Sequence, residues 1–354
     1  MRKLYLIRHG RPDFPQGARV CLGRTDTPLG PLGRMQACLL GEELRGAGLS
    51  AVFSSPLSRA VQTARFLTPH PIPLVGLEEL SAGAWDGLDF SDIQLRWPEH
   101  YAARGKDPGL PPPGGEDAAE GQRRFLGAVR QALRRSAGDI AIVAHNSVNQ
   151  TLLCHALNTA PRQGRAYKLP YASYCVLEVR GDRFHLTQTA RNAHPPLTIP
   201  LAAQLLAAAE PPERTQAHCR AVAAEASRLA ALLPLPLDVE LLTAAALLHD
   251  VAREEAEHAK TGGSWLRSLG YEQAADLVSQ HHDLRDRELN EAALLYLADK
   301  CIRGTRPVSV AERFALSRER CRTEAALSAW RTRLETARQL REQVNRLAGR
   351  QVVR

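Results

Sequence analysis

The sequence predicts an α/β domain, with a mostly parallel sheet and helices on both faces, followed by an all-helical domain. Three observations carry this. Over the first ~190 residues, short apolar runs with β propensity alternate with stretches of helical period. Residues 194–213 then gather Pro195, Pro196, Pro200, Pro211 and Pro212, a composition that suits a linker. Beyond it the apolar residues keep a helical period and no run reads as a strand. A chain of 354 residues also exceeds the ~250–300 at which one core stops growing. The expected division is 1–193, a linker over 194–213, and 214–354.

Taken in order, Leu4-Tyr5-Leu6-Ile7 predict a buried strand that runs straight into Arg8-His9-Gly10. The C-terminal edge of such a strand is where an α/β sheet places chemistry. Arginine beside histidine suits a phosphate there, because the guanidinium fork binds oxygens and the imidazole can attack phosphorus. Residues 11–29 read as a loop rich in Gly, Pro and Asp, and a helix follows over about 31–45, closed by Gly46 and Gly48. Ala51-Val52-Phe53-Ser54 is a short strand. Ser55-Pro56 is expected to open the next helix, with Arg59 in a first turn whose backbone N–H groups favour an anion. Residues 69–115 read mostly as loop and 116–135 as helix. Residues 140–144 are a buried strand ending at His145, and Ser147 begins a helix. Residues 174–179 and 184–189 make a hairpin across Gly181-Asp182. Arg8, His9, Arg59 and His145 thus follow three strands of one sheet, where exits converge, and together match a phosphoryl group.

In the second half, helices are expected over about 214–233, 239–251, 258–269, 272–281, 288–301 and 310–347. Five of the twelve histidines fall here, within about 65 residues: His218, His249, His258, His281 and His282. Asp250 and Asp299 accompany them. His249-Asp250 closes an unusually apolar helix, and burying both groups costs several kcal/mol unless a metal or partner satisfies them. Imidazole nitrogen with carboxylate oxygen suits Mn, Fe or Zn, or a mixed site using Mg.

Bulk composition excludes several classes. Hydrophobic content of 44% and charged content of 24% are ordinary for a globular protein. No apolar run approaches the ~18 residues of a membrane span, and Met1-Arg2-Lys3 with four apolar residues is too short for a signal peptide, so a cytoplasmic location is expected. Seven scattered cysteines without CxxC argue against a disulfide frame or thiolate zinc site. The net charge is +8, and Arg318 to Arg354 carry +6 of it, from ten arginines and four glutamates. Nucleic acid is disfavoured all the same. Leu327, Trp330, Leu334, Ala337, Leu340, Val344 and Leu347 recur as one helical stripe, and no aromatic residues interleave the arginines. The stripe must pack on its own domain or on a second copy of the chain.

Four segments of the first half resemble the histidine phosphatase, or phosphoglycerate mutase-like, superfamily across about residues 1–190. They are Arg8-His9-Gly10, residues 54–64 around Ser55-Pro56 and Arg59, residues 77–87 around Glu79, Gly83 and Trp85, and Val143-Ala144-His145-Asn146. The resemblance implies that His9 is the nucleophile that becomes phosphohistidine. It implies that Arg8, Arg59 and His145 hold the phosphoryl oxygens. Glu79, rather than its neighbour Glu78, would protonate the leaving oxygen and then deprotonate water, and this half would use no metal. The chain departs from the family's frequent Thr and Asn after Arg-His-Gly, having Arg11-Pro12-Asp13-Phe14-Pro15 there. Asn146 stands where glycine is frequent. Residues 23–29 are similar to the α-ribazole phosphatase branch, and the extended insert typical of glycolytic mutases is not seen, which favours hydrolysis.

Residues 214–308 resemble the HD-domain phosphohydrolase superfamily. The resemblance implies His218, His249, Asp250 and Asp299 as core ligands, with His258, His281 and His282 similar to the extra ligands of two-metal members. One or two divalent ions are therefore expected. Lys300 is open between phosphate binding and a solvated lysine. Residues 296–306, with Arg303 and Arg306, are similar both to HD domains acting on nucleotides and dinucleotides and to those attached to nucleotidyltransferases of molybdenum-cofactor type, and neither similarity fixes a substrate. The expected function is a bifunctional phosphohydrolase: phosphomonoester hydrolysis through phosphohistidine, and metal-dependent phosphoester or phosphoanhydride hydrolysis of a nucleotide-type substrate. The alternative is a single histidine phosphatase whose second domain senses metal or nucleotide. Expected partners are a small phosphorylated metabolite, a nucleotide, and a second copy through the C-terminal helix, with no membrane.

Overall fold

The apolar runs of the first half assemble into one six-stranded sheet. The computed structural model describes residues 2–14, 20–107, 109–319 and 321–354, so Pro15 and residues 16–19 of the first loop, and Arg320 of the basic tail, lie outside the described residues. The chain divides into two units, Met1–Pro195 and Pro196–Arg354.

The first unit runs β1 (Arg2–Arg8), α1 (Pro31–Leu44), β2 (Ala51–Ser54), α2 (Ser58–Arg65), β3 (Ile72–Pro73), α3 (Phe90–Arg96), α4 (Pro98–Lys106), α5 (Ala118–Arg134), β4 (Ile140–Ala144), α6 (Asn146–Ala156), β5 (Ser173–Arg180) and β6 (Arg183–Asn192). The sheet order is β3-β2-β4-β1-β5-β6, with the first four parallel and β5–β6 an antiparallel hairpin. Every residue of β4 is 0% exposed, so the strand is covered on both faces. Ile140 and Ile142 pack among Phe125 and Val129 of α5 and Val148 and Leu152 of α6. Truncating Ile142 to alanine would cost about 2–5 kcal/mol. The register sets Arg8 beside Ala144 and Ser54 beside Val143, so β1, β2 and β4 end along one edge. Gly10 is required there, because a Cβ on it would lie 2.3 Å from the Gly33 carbonyl oxygen of α1.

Three expectations for this unit are refined or corrected. The stretch 69–115 is mostly loop as expected, but it also holds short elements that the sequence did not suggest. It carries β3, α3, α4 and a 3-10 turn over Gly83–Trp85. The two helices bury little (Ile93 alone in α3 and no residue in α4), so no apolar stripe betrays them. The helix after β2 begins at Ser58, not at Ser55-Pro56. The Asp26 carboxylate takes the Ser58 N–H at 2.7 Å and its hydroxyl at 2.7 Å, doing from a distant loop what Ser55 was expected to do. Finally α6 starts at Asn146, with His145 as its N-cap residue.

The second unit contains α7 (Ile199–Ala209), α8 (Glu213–Ala230), α9 (Val239–Leu248), α10 (His258–Ser268), α11 (Glu272–Ser279), α12 (Glu291–Cys301), β7 (Ile302–Arg303), β8 (Arg306–Pro307), α13 (Val310–Arg318) and α14 (Glu324–Leu347). Beyond Glu240 in its exposed first turn, helix α9 is buried from Leu242 to Leu248 and packs on α7, α8, α11 and α12, as so apolar a helix must. The linker expected over 194–213 is corrected: α7 occupies it and buries Leu201, Ala202, Leu205 and Leu206. Its prolines delimit helices rather than extend a tether. Pro200 sits in the first turn of α7 behind the Thr198 cap, and Pro212 is the N-cap residue of α8. The single helix expected over 310–347 is two, because Thr323 caps α14 after a break. A strand pair also appears where none was read, β7 and β8 around Gly304. Ala337, Leu340 and Val344 of the basic stripe are 0% exposed, and α14 packs on α12 and α13 of its own unit. Among the described residues no helix is long and apolar enough to cross a membrane. All seven cysteines are free thiols, and five are buried.

Candidate active site and candidate metal centre

The edge shared by β1, β2 and β4 brings the phosphate-type residues together. The His9 and His145 rings lie 5.0 Å apart at 62°, and both side chains are buried. His9 Nδ1 lies 2.7 Å from the Gly10 carbonyl oxygen. A carbonyl can only accept, so Nδ1 carries the proton and Nε2 keeps its lone pair. Burial, reinforced by the charges of Arg59 and Arg8, holds the His9 imidazole well below the usual histidine range. His145 is held down in the same way, by burial first and then by His9 and the arginines. Neutral imidazole is the form that can attack phosphorus.

Arg59, 0% exposed, is fastened by the carbonyls of Gly23 at 2.7 Å and Thr25 at 2.8 Å. Arg8 donates to the Leu169 carbonyl at 2.5 Å and lies 3.8 Å over the Tyr171 ring. Yet Arg8 Nε, Arg59 Nε and both ring nitrogens of His145 are buried without a hydrogen-bond partner in the protein. Buried polar atoms are nearly always paired, so such a group points to something else that pairs them.

Glu79, 7% exposed, places its carboxylate on the start of α6. Oε2 accepts from Ser147 N–H at 2.9 Å, and Oε1 from Val148 N–H at 3.0 Å and Leu80 N–H at 2.9 Å. Its neighbour Glu78 instead accepts from Gly76 N–H at 2.7 Å and pairs with Arg124 at 3.5 Å. Sequence reasoning missed the brace behind Glu79. Arg124 donates to the carbonyls of Gly76, Glu78 and Glu79 and grips Glu116 with two bonds of 2.8 and 2.7 Å. Glu116 also takes Arg24 at 3.0 Å. Glu116 is 8 positions from Arg124, but the three carbonyls are 45 to 48 positions from it and Arg24 is 92 from Glu116, so no local pattern links the whole brace. A second omission is Asp86, which accepts the N–H groups of Gly23, Arg24 and Thr25 and so shapes the loop that holds Arg59.

In the second unit all seven predicted ligands form one cluster. His218, His249 and Asp299 offer ligand atoms within 4.8 Å of one another, as do His249, Asp250 and His281, and also His258, His281 and His282. The sequence folds this way because α9 delivers His249-Asp250 at its C-terminal end, while α8, α10 and α12 bring His218, His258 and Asp299 to it. His218 Nδ1 is fixed by the Gly304 carbonyl at 2.9 Å, His249 Nδ1 by Ala246 at 2.8 Å, and His281 Nδ1 by Val278 at 2.7 Å. The carbonyls thereby hold His249 and His281 in the tautomer that leaves Nε2 free to coordinate, while His218 Nε2 faces Asp299 Oδ1 at 3.1 Å. The Nε2 atoms of His249 and His281, and Asp250 Oδ1, are buried without a hydrogen-bond partner in the protein. Nitrogen and oxygen donors in this state fit a divalent transition ion.

The electrostatics agree with that fit. Burial lowers His249 to about 4 and holds His282 well below its usual value. Burial would raise the Asp250 and Asp299 carboxyls, but the surrounding imidazoles, Arg253 for Asp250 and Lys300 for Asp299 bring both well below the carboxylate range. Burial also pulls His218 down, and its 3.1 Å hydrogen bond to Asp299 outweighs that and raises it. Lys300 is not a solvated lysine: it is buried, with Nζ 2.7 Å from Asp299 Oδ2. Arg303 and Arg306 are exposed on the β7–β8 hairpin. Two cations not singled out in the sequence approach the ligands instead, Arg253 at 3.6 Å from Asp250 and Arg313 at 3.8 Å from Asp299.

A mostly parallel sheet whose strand exits present two histidines, two arginines and a carboxylate defines a phosphate-handling α/β protein. The family model for the histidine phosphatase superfamily (branch 1) matches residues 4–192, and the chain belongs to that superfamily. The HD domain model matches residues 215–304. Among curated proteins, the chain is 31% identical over 186 residues to the bifunctional protein Rv2228c of Mycobacterium tuberculosis, covering 51% of each chain. It is 26% identical to phosphoserine phosphatase 1 of Hydrogenobacter thermophilus, over 52% of this chain and 89% of that one. Among solved structures, Bacillus stearothermophilus YhfR is similar with a TM-score of 0.50 and 30% identity, over 53% of this chain and 96% of that one. The match spans about half the length of the first of these curated relatives.

Proposed function

We propose that the chain is a bifunctional phosphohydrolase with one centre in each unit. The reading of the first centre rests on the unpartnered buried nitrogens of Arg8, Arg59 and His145 around His9, which a phosphoryl group would satisfy. His9 Nε2 attacks phosphorus and the ester P–O bond breaks. The leaving oxygen takes the proton of Glu79. Water then attacks the phosphohistidine, Glu79 takes a proton from that water, and the P–N bond breaks to release phosphate. Arg8, Arg59 and His145 stabilise the equatorial oxygens as charge spreads over them.

In the second centre, His218, His249, Asp250, His281 and Asp299, with His258 and His282, would hold one or two divalent ions. When bound, such an ion supplies Lewis acidity toward a phosphoryl oxygen and makes water a better nucleophile. Lys300 and Arg313 offset the charge of Asp299, and Arg253 that of Asp250, and the two arginines remain partly exposed to meet a phosphate of the substrate. Phosphoesters and phosphoanhydrides of nucleotide type are the substrates to screen here, and small phosphorylated metabolites for the first centre.

The test is trapping. Full-length protein turning over a phosphomonoester in EDTA is quenched in alkali, where phosphohistidine survives, and mapped by mass spectrometry. Phosphate on His9 is expected. Turnover with no phosphorylated histidine at any point of the time course contradicts the first mechanism.

A further inference from the structure

Beside Glu79 the first unit holds a cavity of about 210 Å³. Glu79, which faces the leaving oxygen in the mechanism above, lines it. So do three arginines, Arg104 from α4 and Arg162 and Arg165 from the 3-10 turn Pro161–Ala166. Among the described residues, no carboxylate lies within ion-pair distance of any of these three arginines, whereas Glu116, which also lines the cavity, is already held by Arg24 and Arg124. Arg104 is anchored on the Leu110 carbonyl and lies 5.9 Å from the Trp85 ring centre, so one of the three is fixed in place. Its pKa is lowered, by burial first and then by the charge of Arg165, with Cys21 and Asp107 acting in the opposite direction. Like charges gathered around a cavity cost free energy that an anion would return.

We propose that the leaving group of the substrate carries a second anionic group, a carboxylate or a second phosphate, and that Arg104, Arg162 and Arg165 receive it. This rests on the phosphatase reading above, because Glu79 fixes the side on which the leaving group lies. The substrate class is then a phosphomonoester of an acidic alcohol rather than of a neutral one. Arg162 and Arg165 are exposed, so they act as specificity determinants that tighten substrate binding and leave the reacting phosphoryl group to Arg8 and Arg59.

Matched probes separate the possibilities. Glycerol 2-phosphate has a neutral leaving alcohol, 2-phosphoglycerate has the same skeleton with a carboxylate, and 1,3-propanediol bisphosphate is set against the monophosphate of that diol. Wild-type full-length protein is expected to prefer at least one anionic member over its neutral partner in kcat/KM by about tenfold, chiefly through KM. Which pair shows the preference tells carboxylate from phosphate. In R162S/R165S the ratio within that pair is expected to fall about tenfold. Using a ratio cancels any general loss, and a thermal melt checks that the variant folds. Equal kcat/KM within both pairs, or a preference that survives in R162S/R165S and in R104Q, overturns the proposal while leaving the phosphatase reading intact. Hydrolysis of none of the four esters by wild type removes that reading, and the proposal with it.

Discussion

The carboxylate of Glu79 accepts the backbone N–H of Ser147 at 2.9 Å, two residues past His145. The acid candidate and His145 are therefore fixed to one structural point, the start of α6. The N–H groups of Ser147 and Val148 at that helix start fix the orientation of the Glu79 carboxylate. Any shift of that helix start moves both groups together.

Glu79→Gln should lower kcat by about 10² to 10⁴, the usual worth of a general acid and base. The loss should shrink when the leaving group is p-nitrophenol, which needs little protonation to depart. Glu78→Gln, whose carboxylate serves Gly76 and Arg124, should cost mainly stability, about 1 kcal/mol. Steady-state kinetics of the two variants on alkyl and aryl phosphates decides. Equal losses on both ester types would remove the acid role.

Arg124→Met should destabilise the first unit by about 2 kcal/mol, because three carbonyls and Glu116 lose a donor. If the brace positions Glu79, kcat should fall more on alkyl than on aryl esters, as for Glu79→Gln but less steeply. A purely structural residue would lower Tm and leave that ratio unchanged.

Acid should destabilise the chelator-treated protein. Folded His249 titrates at about 4, and His9, His145 and His282 also lie below their ordinary values. Between pH 6.5 and 4 the unfolded chain binds more protons at these sites, so stability is complete above pH 6.5 and is lost as pH falls through that window. His249 alone accounts for about 3 kcal/mol. His218 has the opposite sign, with stability present below pH 6.5 and lost as pH rises through its raised folded value. Calorimetry in EDTA from pH 8 to 4 should show falling transitions, and a flat profile contradicts the neutral, buried histidines.

Adding Mn or Zn to chelator-treated protein should raise the Tm of one transition. At an ion concentration about 100-fold above Kd the gain is about 2.7 kcal/mol. Asp250→Asn should abolish the shift, because Asp250 is central to the cluster that includes His249 and His281. An unchanged Tm in wild type would show that these side chains hold no ion.

The two centres were legible in the sequence for different reasons. Residues 140–144 form an uninterrupted apolar run, and His145 follows it directly, so a strand exit was readable from five letters. His249-Asp250 stood out because so apolar a helix should not end in two polar groups without cause. The prolines between 195 and 212 misled, since a proline that starts or stops a helix reads like one in a tether. Helices α3 and α4 escaped because they bury almost nothing. The Arg24–Glu116 pair, the grip of Arg124 on the Gly76 carbonyl and the Gly304 carbonyl behind His218 are long-range contacts, created by folding and carried by no local pattern.

The most direct measurement follows phosphomonoester hydrolysis and nucleotide hydrolysis by the full chain, as wild type and as His9→Ala, with and without EDTA. The account predicts that EDTA removes the second activity and spares the first, and that His9→Ala removes the first, by about 10³ or more, and spares the second. Loss of both activities in EDTA, or survival of both in His9→Ala, would contradict it.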